Sequence, residues 1–323
     1  MKMLFFEVDT KQELYFKKAF PHDELFFYQE PIPLKTIPND QFDAQVISTA
    51  IRSSLTKEIF DLFPYLKAVI SRTTGSDHID CVAAQEKNIC VYTLPTYATQ
   101  AVAEYTFALL LALVRKVALA SESIERENYG FLRGSELADK TLGIIGFGMI
   151  GKAVARIALG FSMKVIVYDP QCNLSELSVS FVSCTALLER SDVISVNVPL
   201  TNSTKYMLNS EAMRSIKKGS YLVNTSRGGV IETRALIDAL ENNILGGVAL
   251  DVLEEEFFTY HPLALLRYVQ ATKEVYKKVL ENNYLMKHPR AIISPHYAFN
   301  SQEALERSMQ ETKECIEAWK KTV

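Results

Sequence analysis

The stretch TLGIIGFGMIGKAVARIALGFSMKVIVYDP, residues 141–170, decides how this chain is read. Residues 142–145 form a short apolar run of the kind a buried strand needs, and Gly146-Phe147-Gly148-Met149-Ile150-Gly151 follows at once. Residues 152–161 then carry helical spacing, with Val154, Ile157, Ala158 and Phe161 on one face. A second strand, 164–168, runs into Asp169. In such a unit Gly146 permits the tight turn, Gly148 lets the backbone approach a bound group, and Gly151 lets helix and strand pack closely. The helix start, at Met149 and Ile150, presents free N–H groups and a partial positive charge suited to a pyrophosphate. Asp169 can accept both hydroxyls of a ribose, and its charge repels a 2′-phosphate. Between two strands and with that acid in place, the glycines predict a dinucleotide site, with NAD favoured over NADP.

With 323 residues the chain is long enough for two domains, each with its own core. A formal net charge of −3 gives no bias toward nucleic acid or an anionic membrane. The five cysteines (Cys81, Cys90, Cys172, Cys184, Cys315) are odd in number and contain no CxxC pair. They predict neither a disulfide framework nor a zinc site, and reduced thiols fit a cytoplasmic protein. The opening MKMLFFEVDTK has too short an apolar run for a secretion signal and reads as a first strand. The greasiest segment, 101–120, is broken by Glu104, Arg115 and Lys116, so it predicts a buried helix rather than a membrane span.

Strand-like and helix-like runs alternate outward from the central stretch, the pattern of parallel sheets with crossover helices. Strands are expected at 3–8, 24–28, 44–49, 66–71 and 89–92, with helices at 11–20, 56–63 and 79–87 and a long one from about 100 to about 126. Residues 128–140 read as loop. Past Asp169, strands are expected at 192–198, 221–225, 245–252 and 291–294. Together with the two strands of the opening stretch these make six, a complete nucleotide domain. The final helix, 302–320, places Leu305, Met309, Thr312, Ile316 and Trp319 on one stripe and has no slot in that domain. It is expected to return to the first one. The fold class predicted is α/β, with two doubly wound parallel sheets and a cleft between them. A flavodoxin-like substrate domain takes 1–100 plus 296–323, and a Rossmann NAD-binding domain takes 101–295.

Three further stretches place unusual residues at strand ends: VNTSRGG at 223–229, ALDVLEEE at 249–256 and ISPHYAF at 293–299. With the glycine motif, TTGSDHID at 73–80 and VAEYT at 102–106, they resemble the D-isomer-specific 2-hydroxyacid dehydrogenases, most closely their D-lactate dehydrogenase branch. The resemblance runs over essentially the whole chain. It implies that Arg227 grips a substrate carboxylate, since a planar guanidinium holds one bidentately. It implies that His296 exchanges a proton with the carbonyl or alcohol. The family's acid falls on Glu256, where Phe257 replaces the usual proline, and a carboxylate beside a histidine favours the imidazolium. Glu254 and Glu255 are expected to be solvated neighbours. A glutamate rather than a glutamine at 256 argues against the formate-oxidising relatives. Thr74, where phosphite-oxidising relatives carry lysine, and Gly75 correspond to the backbone cradle for the carboxylate. Tyr97 and Phe299 fall where aromatics line a small side chain. Val198, Pro199, Thr204 and Thr225 correspond to residues around adenosine and pyrophosphate, and Asp251 to one that meets the nicotinamide carboxamide.

The activity implied is interconversion of a small 2-keto acid and its D-2-hydroxy acid with NAD, by a homodimer, without metal, nucleic acid or membrane. Hydroxypyruvate or glyoxylate reduction is the alternative within the enzyme class. A non-catalytic NAD-sensing corepressor on the same scaffold is the alternative outside it. Residues 257–289 are longer than in most members and read as helical, with Leu265, Leu266, Val269, Tyr276 and Leu280 apolar. A lid, a dimer contact and a passive insertion all fit that pattern, and His261 within it is expected to play no catalytic part.

Overall fold

The computed structural model describes all residues except 33–36, 126, 128–129, 131, 173, 266–271 and 323, and only the backbone at 39 and 264. The chain divides into two compact units, Met1–Ala98 with Asn300–Val323, and Thr99–Phe299. The first unit is a parallel sheet of β1 (Lys2–Phe6), β2 (Glu24–Tyr28), β3 (Val46–Thr49), β4 (Ala68–Ser71) and β5 (Cys90–Tyr92). Its spatial order is β2-β1-β3-β4-β5, the flavodoxin-like order. β1, β3 and β4 are covered on both faces, which is why their apolar runs do not alternate with polar residues.

The helix Gln302–Lys320 belongs to this unit. Ser301 caps its start by accepting from the Ala304 N–H at 3.1 Å. Its buried stripe of Met309, Ile316 and Trp319 packs with Met3, Phe5, Phe16, Val46 and Ile70. Thr312, enclosed on the same stripe, donates its hydroxyl to Ser308 O at 2.7 Å and so carries no unmet polar group into the core.

The second unit is a seven-stranded parallel sheet. Its strands are β6 (Thr141–Ile145), β7 (Lys164–Tyr168), β8 (Ser180–Phe181), β9 (Val193–Val196), β10 (Ser220–Asn224), β11 (Leu245–Leu250) and β12 (Ala291–Ile293). The order β12-β11-β10-β9-β6-β7-β8 reverses between β6 and β9, and that switch point is where doubly wound sheets bind ligands. β8 is a seventh strand beyond the six expected. Two residues at the sheet edge show no period, so only pairing with Ile166 and Val167 defines it.

The long helix expected to about 126 is two helices, Thr99–Val114 and Val117–Glu125, and Arg126 lies outside the described residues. The Val114 carbonyl accepts from the Ser135 N–H at 3.0 Å, and Lys116 turns into the left-handed region (φ 57°). The first helix is buried against the sheet, whereas the second buries no residue, so nothing holds the two in one axis. Residues 256–289 contain helices Glu256–Tyr260, Pro262–Leu265 and Lys273–Lys287, while Leu266 and Val269 lie outside the described residues. Among the described residues no helix is long and apolar enough to cross a membrane.

Candidate active site

Ladder register lines up the carboxyl ends of the second sheet. Tyr168 faces Ile145, Ile145 faces Val196, Val196 faces Asn224, Asn224 faces Leu250, and Leu250 faces Ile293. Every loop that follows these residues emerges on one edge. Beyond Ile145 comes the glycine loop. Gly146 sits at φ +91°, and a β-carbon there would lie 2.5 Å from Asn197 O. One on Gly151 would lie 2.2 Å from Gly146 O, whereas one on Gly148 would meet nothing within 4 Å. The turn is therefore packed from behind and open in front, at the start of the helix Met149–Gly160, where no side chain caps the N–H groups. That geometry fits a pyrophosphate. Asp169 Oδ2 accepts from Phe147 N at 2.7 Å and Oδ1 from Gln171 N at 2.8 Å. Each oxygen keeps a lone pair for a ribose hydroxyl.

The other expected cofactor contacts are arranged unevenly. Val198 packs behind Gly146, and exposed Pro199 accepts from the Thr204 hydroxyl at 2.5 Å, which closes the 199–204 loop. The Thr225 hydroxyl is 2.9 Å from that of Thr106. Since Thr106 donates to Val102 O at 2.8 Å, Thr225 is the donor of that pair. Asn197 Oδ1, which the sequence reading passed over, is buried beside this loop with no hydrogen-bond partner among the described residues.

Asn224 ends β10 and shapes the next turn. Its Oδ1 accepts from Ser226 N (2.9 Å) and Oγ (2.7 Å), while its Nδ2 donates to Arg227 O at 2.9 Å. Arg227 is half-buried, and its guanidinium donates to Ser226 O at 2.8 Å. A β-carbon on Gly228 would lie 2.1 Å from the Leu253 carbonyl carbon, so the arginine turn rests directly on the backbone that leads to Glu256.

Past β12, His296 adopts φ 59°, and its N–H donates to Asp251 O at 2.8 Å. The Asp251 carboxylate accepts from Ser294 Oγ (2.6 Å), Tyr297 N (2.9 Å) and Ala298 N (2.8 Å). Asp251, expected to meet a carboxamide, has 0% exposure. Burial raises its pKa, partly offset by those three donors, and its carboxylate ties down the histidine turn. His296 Nδ1 and Glu256 Oε2 lie 2.9 Å apart, and Glu256 Oε1 accepts from Leu253 N at 2.9 Å. An ionised carboxylate can only accept, so Nδ1 carries the hydrogen and Nε2 is the nitrogen left to exchange a proton. The Phe299 ring stands edge-on to the imidazole at 6.3 Å.

Of the neighbouring glutamates, Glu255 is exposed as expected, but Glu254 is not solvated. Its side chain is 8% exposed and meets Lys278 at 3.0 Å, Tyr206 at 2.5 Å and Thr233 N at 3.0 Å. These partners lie 21–48 residues away, which is why spacing within 254–256 did not reveal them.

A family model described as "D-isomer specific 2-hydroxyacid dehydrogenase, NAD binding domain" matches residues 107–298, more than half of the chain. The chain belongs to the D-isomer-specific 2-hydroxyacid dehydrogenases. It is 36% identical over 260 residues to a D-specific alpha-keto acid dehydrogenase of Enterococcus faecium, covering 78% of this chain and 76% of that protein. It is 35% identical to a hydroxypyruvate reductase of Thermotoga maritima, covering 85% and 83%. The structure of D-lactate dehydrogenase from Aquifex aeolicus, complexed with NAD and lactic acid, matches with a TM-score of 0.88. That likeness is at 33% identity and covers 99% of this chain and 96% of that one. The cofactor of this dehydrogenase is NAD, and the glycine loop with Asp169 fits it.

The remaining residues expected at the substrate of this dehydrogenase belong to the first unit. Thr74 is exposed and Gly75 half-buried in the loop after β4, and neither N–H donates to another described residue. Thr73 braces that loop by donating to Gly75 O at 2.6 Å. Tyr97 is 4% exposed, and its carbonyl accepts from Arg307 at 2.8 Å. Two charged residues at the same sheet edge were not foreseen. Glu7, with its side chain 5% exposed and its backbone at φ 57°, accepts from the N–H groups of Ala50 (3.2 Å), Arg52 (3.0 Å) and Ser53 (3.0 Å). Arg72 is buried and donates to the carbonyls of Phe6 and Glu7 and to Ser48 Oγ. Burial pulls its guanidinium down to about 10 against the opposing pull of Glu7, Tyr97 and Asp9.

Proposed function

We propose that this dehydrogenase reduces a short aliphatic 2-keto acid, pyruvate foremost, to the D-2-hydroxy acid. The observation that carries the reading is the His296–Glu256 pair, 2.9 Å apart with Nε2 left to exchange a proton, on the loops after β12 and β11 beside the Arg227 turn after β10. Arg227 anchors the carboxylate and draws electron density from the neighbouring carbonyl. When bound, NADH supplies the hydride taken up by the carbonyl carbon. His296, as imidazolium, gives its Nε2 proton to the carbonyl oxygen, and Glu256 stays ionised to stabilise the charged ring before transfer. The thread of hydrogen bonds through Asp251 keeps His296 in place during this exchange. In the first unit, Thr74 and Gly75 offer N–H groups suited to a carboxylate and Tyr97 an aromatic ring; in the second, Phe299 stands beside His296.

The preference for a monocarboxylate is supported by Arg52, a cation just past β3 of the kind a second carboxylate needs. It is already turned to Glu7 at 3.4 Å and to Gln29 O at 3.3 Å. A second carboxylate without a cation carries a desolvation cost that no contact offsets. NADH oxidation against pyruvate, hydroxypyruvate, glyoxylate, oxaloacetate and phenylpyruvate tests the proposal. Pyruvate is expected to show the highest kcat/KM. If oxaloacetate leads and Arg52→Ala removes its advantage, the apolar reading is wrong and Arg52 selects the substrate.

A further inference from the structure

The three consecutive glutamates point three ways, and the turn that separates them is strained. Glu255 adopts φ 50°, ψ 41°, a left-handed conformation that a residue with a β-carbon holds only when its surroundings impose it. The surroundings come from the helix Lys273–Lys287. Asn282, with no exposed surface, donates to Glu254 O at 2.6 Å and to Thr259 Oγ1 at 2.8 Å. Thr259 in turn donates to Glu255 O at 3.0 Å, so one amide grips the residue before the turn and the hydroxyl that braces it. Lys278 lies between two buried carboxylates, Glu254 at 3.0 Å and Glu281 at 3.4 Å. Both Glu281 oxygens lack a hydrogen-bond partner among the described residues, and the Lys278 ammonium offsets the charge of both acids.

We propose that the helix Lys273–Lys287 is a positioning element for the acid–base pair: Asn282 and Lys278 clamp the 254–256 turn and thereby aim Glu256 at His296 Nδ1. The proposal rests on the acid–base reading of His296 and Glu256 given above. Neither Asn282 nor Lys278 touches that pair; their effect passes through the turn. The charged and titratable groups facing the pair are Asp251, enclosed below the histidine turn, and Tyr260 on the helix Glu256–Tyr260. Those facing Glu254 are Lys278 on the clamping helix, which also meets Glu281, and Tyr206, whose hydroxyl also feels Glu232 and Glu255. Losing Lys278 leaves two buried carboxylates without a cation, and the simplest relief is for the turn to open toward water.

A hydrogen-bonded Nδ1–H between imidazole and carboxylate gives a downfield proton resonance, which reports the pair directly. In the full-length protein with NADH, that signal is to be assigned by its loss in His296→Asn. Asn282→Ala and Lys278→Met, each below its unfolding temperature, are expected to broaden or abolish it. Their kcat for pyruvate is expected to fall about tenfold or more with KM for NADH unchanged, since a misplacement of about 1 Å in a reacting geometry can cost ~100-fold. Leu188→Ala, a core truncation in the same unit away from the turn, controls for loss of stability and should keep both signal and rate. An unchanged signal in Asn282→Ala and Lys278→Met, or equal loss in Leu188→Ala, overturns the proposal. If the signal depends on the clamp while no keto acid is turned over by the unaltered protein, the clamp stands and the dehydrogenase mechanism falls.

Discussion

His296 is held by its backbone and used by its side chain. The left-handed φ of 59° costs a residue with a β-carbon about 1 kcal/mol or more, and the Asp251 carbonyl and carboxylate hold the surrounding turn in place. The side chain is thereby left free to answer to Glu256 alone among the three glutamates. His296→Ala is expected to lower kcat about a hundredfold or more with KM for NADH unchanged. Glu256→Gln keeps the shape and removes the charge that favours imidazolium. Its kcat for ketone reduction is expected to fall about tenfold or more. Glu255→Gln, at an exposed position, leaves the rate in place. Steady-state rates check both. A loss in Glu255→Gln alone would move the pairing by one residue.

Among the elements, the ends of β1, β3 and β4 are joined by charges rather than by apolar contacts. Glu7 takes the N–H groups of residues 50, 52 and 53 and the Ser53 hydroxyl at 2.6 Å, so the loop leaving β3 is wrapped around one carboxylate. Arg72, leaving β4, ties down the carbonyls on either side of the same bend. Glu7→Gln preserves volume but sets an NH₂ against N–H donors. It is expected to cost about 1–3 kcal/mol, the range for buried polar groups left unmatched. Urea unfolding measures that loss. Keto acid KM is expected to rise with it while NADH KM holds, because the loop belongs to the first unit and the glycine cradle to the second.

At the scale of the molecule, a single chain leaves its first unit, builds the second and returns through one helix. Trp319, 3% exposed, fills the first unit's core together with residues contributed from the opening strands. Trp319→Ala is expected to cost about 3–5 kcal/mol, the usual loss for a large aromatic removed from a core. Limited proteolysis locates the damage. Cleavage should begin within Met1–Ala98 and Asn300–Val323, while Thr99–Phe299 persists as a fragment protected further by NADH. First cleavage in Thr99–Phe299 would contradict that assignment of the helix.

What the sequence determined by itself was whatever depends on near neighbours along the chain. The glycine turn between two strands, the acid closing the second, the parallel-sheet alternation and the stripe on the last helix all follow from spacing over a few residues. Arg227, Glu256 and His296 were singled out only through the resemblance of the stretches that carry them to the motifs of the family. The tertiary structure decided what depends on partners far apart in sequence. It buried Glu254 against Lys278 and Tyr206, enclosed Asp251 beneath the histidine turn, and gathered the β3 loop around Glu7. It also ended the long helix at Val114 with an N–H from Ser135, and made a strand of Ser180–Phe181 by pairing alone. A charged side chain reads as solvated until a counter-charge is brought to it, and only the fold brings one.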